Sequence, residues 1–258
     1  MRMASLGSGS KGNSLIISAR KGAHCTCIML DCGFGIRETE RRLARNGISP
    51  SDLSAIVLTH EHGDHAGGAF RFAQRHRLPI WMSAGTFQAL EGRETNVEVS
   101  FCHDGEPFSI GDMQLIPFTV PHNAREPLQF CITDGNHKLG VLTDTGRLTA
   151  HLCAALKGCS TLMIECNHDV DMLEKSSYPS SLKQRIRGEW GHLSNDDTVT
   201  LLKEISHPRL KKVVGAHVSQ QSNTYACVQA TLENAVNQYG SEVVVATQEE
   251  GFGWLNMD

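Results

Sequence analysis

Within Thr59-His60-Glu61-His62-Gly63-Asp64-His65, four metal-competent side chains, His60, His62, Asp64 and His65, fall inside six residues. Imidazole nitrogens and carboxylate oxygens are ordinary ligands of zinc and its neighbours. A strand would send His60, His62 and Asp64 to one face. Gly63 and the following Ala66-Gly67-Gly68 instead mark a turn into a helix, from which side chains converge from several directions. Such density suits two adjacent cations. Helix capping alone would account for Asp64 and leave three histidines unexplained. A cation-bound water ionises near pH ~7, and ions about 3.5–4 Å apart hold nucleophile and electrophile together. The expected chemistry is hydrolysis at phosphorus or an acyl carbon, with no organic cofactor.

The elements that must position this cluster alternate short β-rich runs with helical ones. Strands are expected at 14–18, 26–30, 55–59, 80–83, 113–120, 129–133, 138–143, 161–165, 212–216, 242–247 and 252–255. Ile36–Asn46, closed by Gly47, reads as an amphipathic helix, and Asn195–Ile205 and Asn223–Tyr239 read as two more. Between Gly105 and Thr133 strand-like runs follow one another without a helix, so the sheets cannot be purely parallel. A mixed α/β sandwich is expected rather than a doubly wound sheet.

The chain has 258 residues and no Pro/Gly/Ser linker or low-complexity tract, so 1–258 is expected to form one domain. With 24 Lys+Arg against 28 Asp+Glu the net charge is -4, and a polyanion would have to be gripped by a local basic patch. No apolar run approaches the ~20 residues needed to span a bilayer and no signal peptide is recognisable, which leads us to expect a cytoplasmic protein with no membrane partner. Nine cysteines, an odd number, are expected to be reduced and mostly buried. Cys25, Cys27 and Cys32 are closely spaced but have no second pair with zinc spacing, and read as small hydrophobes.

The heptapeptide resembles the His-x-His-x-Asp-His signature of the metallo-β-lactamase superfamily. The resemblance implies an αββα sandwich of two mixed sheets flanked by helices, with the metal site at one edge. It implies a bracing role for Asp31 in Leu30-Asp31-Cys32-Gly33. It also implies further ligands at His122 in Pro121-His122, at Asp144 in Leu142-Thr143-Asp144-Thr145-Gly146 and at His217 in Gly215-Ala216-His217. His60, His122, Asp144 and His217 each follow a separate apolar β run, which is how ligands distant in sequence can meet at one sheet edge. From the resemblance, His60, His62 and His122 form a first site, and Asp64, His65 and His217 a second, with Asp144 reaching both. Two divalent ions are expected, zinc first and manganese second. Asn123 follows His122 where nucleases of this family often carry an acid, so the surroundings of that ligand differ.

Four further blocks occur in order: Ser5–Ser14, Glu165-Cys166-Asn167-His168-Asp169, Gly191-His192-Leu193-Ser194-Asn195 and Ala216–Asn223. Together they resemble the YycJ/WalJ group of metallo-β-lactamase-fold nucleases, which implies a 5′-to-3′ exonuclease acting on DNA. Asp64 and His192 are then expected to act in catalysis, His192 by giving a proton to the leaving 3′ oxygen. Ser8, Ser10, Asn13, His168 and Asn195 are expected to contact substrate. Gly7-x-Gly9-x-x-Gly12 also fits a dinucleotide fingerprint, but Leu15-Ile16-Ile17 continues as a strand where that motif needs a helix. Lys175, Lys183, Arg185 and Arg187 surround Tyr178 and Trp190, a basic strip with stacking aromatics suited to single-stranded nucleic acid. The alternatives are a small-phosphodiester or thioester hydrolase with the same ligands, and a non-catalytic metal scaffold, which the full ligand set disfavours.

Overall fold

The computed structural model describes residues 1–90 and 96–257. The first sheet contains β1 (Arg2–Gly7), β2 (Ser14–Lys21), β3 (His24–Leu30), β4 (Ala55–Val57), β5 (Ile80–Met82) and β6 (Val99–Phe101). The second contains β7 (Phe108–Ile110), β8 (Met113–Thr119), β9 (Leu128–Thr133), β10 (Lys138–Leu142), β11 (Thr161–Glu165), β12 (Lys212–Ala216) and β13 (Glu242–Val245). β14 (Phe252–Asn256) returns to the first sheet.

Among the described residues both sheets have seven strands, in the orders β14-β1-β2-β3-β4-β5-β6 and β13-β12-β11-β10-β9-β8-β7. Each is antiparallel on one side and parallel on the other. In the first sheet the change falls at β3, and in the second at β10. The parallel side needs crossover helices, and the antiparallel side is joined by tight turns, which is why helices crowd beside only part of each sheet.

The helices are α1 (Ile36–Arg45), α2 (Gly63–Ala66), α3 (Ala69–His76), α4 (Ala84–Ala89), α5 (Ala150–Leu156), α6 (Val170–Lys175), α7 (Ser180–Arg187), α8 (Asn195–Ile205) and α9 (Tyr225–Val236). α1 turns Leu43 inward and carries Glu38 near its start and Arg42 and Arg45 near its end, in keeping with the helix dipole. Thr224 caps α9 by accepting from Cys227 N–H, and Ser194 forms a capping box with Asp197 at the start of α8.

One core lies between the sheets, around Met3, Ile17, Ile28, Phe130, Val141 and Val214. A second lies under α1 and α3, around Leu43, Ile56, Phe70 and Phe72. A third lies under α5, α8 and α9, around Leu152, Leu162, Leu201, Val213 and Leu232. These are the four layers of an αββα sandwich, as expected. β1 was not anticipated, nor were β6, β7 and the short helices α3 to α7, since three-residue strands and one- or two-turn helices carry too few residues for a period to emerge. No described helix is long and apolar enough to cross a membrane.

Candidate metal centre

The ends of β3, β4, β10, β11 and β12 deliver Asp31, His60, Asp144, Glu165 and His217 to one edge of the sandwich. Asp31, Asp144 and His217 each take a left-handed backbone, with φ of 60°, 56° and 52°. That conformation costs a non-glycine residue of order 1–3 kcal/mol and persists only where the surroundings enforce it. It lets each chain turn sharply off its strand, so that the side chain reaches the edge. Gly33 meets the same demand by close packing: a Cβ there would stand 1.9 Å from the Asp64 carbonyl oxygen. The loop after β3 is thereby pressed against α2, which carries Asp64 and His65.

Three histidines form one group. His62 Nδ1 lies 2.9 Å from His60 Nε2 and 3.3 Å from His122 Nε2. Asp64, His65 and His217 form another, with Asp64 Oδ2 3.6 Å from His65 Nε2 and 3.5 Å from His217 Nε2. Asp144 lies between them, its Oδ2 3.1 Å from His65 Nε2, and its Oδ1 3.5 Å from His217 Nε2 and 3.9 Å from His122 Nε2.

The outer hydrogen bonds assign the imidazole protons. His65 Nδ1 donates to Asp31 Oδ2 at 2.8 Å and His122 Nδ1 to the Gly191 carbonyl at 3.0 Å. His62 Nε2 faces the Asn123 carbonyl at 3.3 Å. Thr59 Oγ1 donates to Asp31 and therefore accepts from His60 Nδ1. His217 Nδ1 stands 3.3 Å from Glu165 Oε1. Each ring then turns its other nitrogen, with its lone pair, toward the group, and such outer partners are what orient metal-binding histidines.

These residues fit divalent cations. Tetrahedral bonds of ~2.0–2.1 Å space ligand atoms by about 3.3 Å, the scale of the distances here. Asp144 Oδ2 is fully buried and accepts no hydrogen bond, although His65 Nε2 is its neighbour. Lone pair facing lone pair is repulsive unless a proton or a cation is shared between them. Burial keeps His60 well below the ordinary imidazole range and lowers His122 to about 4, so both are neutral donors at physiological pH. Burial opposes charge on His65 and His217, but the surrounding carboxylates together outweigh it: Asp144 with Asp31 holds His65 well above the ordinary range, and Asp144 with Asp64 and Glu165 raises His217 to about 10.

The sign of a pH effect follows. Without a cation, His65 and His217 hold protons at neutral pH, and those protons must leave when a cation takes their lone pairs. Metal uptake should therefore release protons, and affinity should tighten with rising pH by about tenfold per unit for each proton displaced. Calorimetric titration in two buffers of different ionisation enthalpy measures the release; uptake without it would contradict the assignment.

Glu165 was not singled out from the sequence. It is wholly buried, and its carboxylate faces His192 Nδ1 at 2.7 Å, accepts from Thr145 N–H at 3.0 Å and Leu193 N–H at 3.1 Å, and approaches His217. Burial pushes this carboxyl up, but His192 and His217 hold it lowered, to about 2. The signal available was an acid closing an otherwise apolar strand. His192 lines a cavity of about 340 Å³ together with Ser10, His62, Asp64, Asn123, Asp144, Arg185 and His217.

The expected substrate contacts divide. Ser10 lines that cavity. Ser8 and Asn13 turn inward: Ser8 Oγ donates to Asn13 Oδ1 and accepts from His217 N–H at 2.9 Å, while the Asn13 amide bonds Gly9 and lies 3.0 Å from His65 Nε2. They pin the turn between β1 and β2 against the ligands. Asn195 is paired amide to amide with Asn223 beneath α8, and His168 is buried with its Nδ1 lacking a hydrogen-bond partner among the described residues; neither lines the cavity. In the expected basic strip, Arg187 is ion-paired with Glu174 and Lys183 Nζ donates to the Glu174 carbonyl. The nine cysteines are free thiols, and all but Cys25 and Cys227 are buried.

The family model described as Beta-lactamase superfamily domain matches residues 26–217. The chain belongs to the metallo-β-lactamase superfamily. Within it the chain stands with the YycJ/WalJ-like group. Exodeoxyribonuclease YycJ of Bacillus anthracis is 30% identical over 238 residues, covering 91% of this chain and 89% of the relative. Exodeoxyribonuclease WalJ of Streptococcus pneumoniae is 30% identical over 238 residues, covering 90% and 87%. The metallo-β-lactamase fold protein YhfI from Bacillus subtilis superposes with a TM-score of 0.73 at 16% identity over 99% of both chains, a likeness of fold.

Proposed function

We propose that this chain is a metal-dependent exodeoxyribonuclease that hydrolyses DNA phosphodiesters from a 5′ end. The observation that carries this reading is a pair of ligand groups sharing Asp144 beside one cavity lined by His62, Asp64, Asp144, His217 and His192, the last bonded to buried Glu165, in a chain alike over nine-tenths of its length to two exodeoxyribonucleases. His60, His62 and His122 would hold one cation and Asp64, His65 and His217 the other, with Asp144 reaching both. Two such ions supply Lewis acidity and a nucleophile at neutral pH. Zinc is our first choice, because imidazoles dominate the donor set, and manganese the second.

The protein's own groups do the rest. Asp64, whose side chain is 24% exposed, orients the attacking water and draws on its proton. His192 donates through Nδ1 to Glu165, which leaves Nε2 to deliver a proton to the departing 3′ oxygen. Ser10 faces the same cavity and offers a hydroxyl to a phosphate oxygen. The free thiols accord with work in the cytoplasm, and we read residues 1–258 as one domain. A small-phosphodiester or thioester hydrolase would use the same ligands, but full-length likeness to exodeoxyribonucleases favours DNA.

The protein as purified should hold one to two equivalents of zinc or manganese, and end-labelled single- and double-stranded DNA should be shortened from the 5′ end while RNA serves as the comparison. Chelation should abolish cleavage, and re-addition of metal should restore it. Full activity in chelator, or ready thioester hydrolysis with DNA left intact, would overturn the reading.

A further inference from the structure

We propose that Arg185 and Trp190 form a two-point grip for an unpaired DNA end, the guanidinium holding a backbone phosphate beside the scissile one and the indole stacking on a base. The inference rests on the nuclease reading and specifies the form of DNA that the site accepts.

Arg185 lines the cavity that contains His192 and the ligand groups, and its guanidinium makes no ion pair among the described residues. Its neighbours in the chain differ, since Arg187 and Lys183 are both engaged by Glu174. An unpaired guanidinium beside a phosphodiesterase centre matches a phosphate with two parallel N–H donors.

Trp190 is 57% exposed, the most exposed large apolar side chain among the described residues. The other two tryptophans are covered: Trp254 by the Arg2 guanidinium at 3.9 Å and Trp81 by the Phe108 ring at 4.5 Å. An indole left in water gains by accepting a base on its face, and every base offers one.

The segment that carries Trp190 is rigid. The Trp190 carbonyl accepts from Asn123 N–H at 3.0 Å, and Gly191 N–H donates to Gly188 at 2.8 Å. A Cβ on Gly191 would lie 2.2 Å from the carbonyl oxygens of Arg185 and Ile186, and one on Gly146 would lie 2.3 Å from the Glu189 carbonyl carbon. The turn that carries Trp190 and His192 is thus packed tightly against the end of α7, which carries Arg185, and also abuts the Asp144 loop. Preorganisation of this kind lowers the ordering cost of binding. A cavity of about 340 Å³ is at the small end for ligand sites.

The test is a fluorescence titration of the metal-loaded protein with a phosphorothioate-linked single-stranded oligonucleotide, which resists cleavage, against a blunt duplex of the same length. Parent protein should show tryptophan quenching and prefer the single strand. Trp190→Ala should lose most of the quenching and bind about tenfold more weakly, with Trp190→Phe retaining part of the affinity. Arg185→Gln should bind about tenfold more weakly and flatten the salt dependence by about 0.7 in log–log slope, one single-strand phosphate contact. Arg187→Gln should bind like the parent. Parent-like quenching in Trp190→Ala, or parent-like affinity in both Trp190→Ala and Arg185→Gln, overturns the grip while DNA cleavage by the parent keeps the nuclease reading. A parent that neither binds nor cuts DNA, yet hydrolyses bis(p-nitrophenyl) phosphate, overturns both.

Discussion

Asp144→Ala is expected to remove metal and activity together. The Asp144 carboxylate is buried and lies within 3.1–3.9 Å of His65, His217 and His122, so it is the one anion that both ligand groups share. Two cations brought close together repel, and a carboxylate between them offsets that repulsion. Without it the second cation should be lost first and the first held weakly. His65 and His217 would also lose the largest of the carboxylate effects that favour their charged forms, with Asp31 left beside His65 and Asp64 and Glu165 beside His217. Turnover should fall by more than the ~10²–10⁴ typical of losing a general acid, and elemental analysis should find less than one equivalent of metal. Folding is monitored by circular dichroism, since His65 keeps its bond to Asp31. A folded variant that retains two equivalents would show that Asp144 does not bridge.

His192→Ala should behave differently. Its ring stacks on His217 with centroids 5.2 Å apart and brings Nδ1 to 3.5 Å from Asp144 Oδ1, but its shortest bond, 2.7 Å, is to Glu165. Metal content should persist while DNA turnover falls by about 10²–10⁴. The leaving group distinguishes proton delivery from a merely structural role. A 3′ alkoxide needs a proton as it departs, whereas p-nitrophenolate does not, so hydrolysis of bis(p-nitrophenyl) phosphate should suffer far less than DNA cleavage. Equal losses on both substrates, or loss of metal, would remove His192 from the role of acid. Glu165→Gln should fall between the two variants, because that carboxylate orients His192 and His217 alike.

Much of this site was legible along the chain because its ligands follow strands. The cluster at His60 to His65 is local, and its density of imidazoles needs no tertiary information to suggest a metal. Apolar runs before His122, Asp144 and His217 mark strand ends, and parallel strands of one sheet end at a common edge, so the resemblance to metallo-β-lactamases had a physical basis. Interleaved helices and the helix-free stretch from Gly105 likewise foretold a mixed sandwich.

What only the tertiary structure decided is where side chains point at those ends. Ser8, Asn13 and Asn195 have the right types for phosphate contact, yet each turns inward, because bonding partners come from segments far away in sequence, and His168 is buried as well. Glu165 looked like the end of a strand, and its reach to His192 and His217 depends on pairing of β11 with β10 and β12. Among four basic residues of similar appearance, the packing of α7 commits Lys183 and Arg187 to Glu174 and leaves Arg185 at the cavity. The composition of a segment determines which bonds its residues are able to make. Which of those bonds form depends on left-handed turns at Asp31, Asp144 and His217, and those turns are held in place by the whole sandwich rather than by their neighbours in sequence.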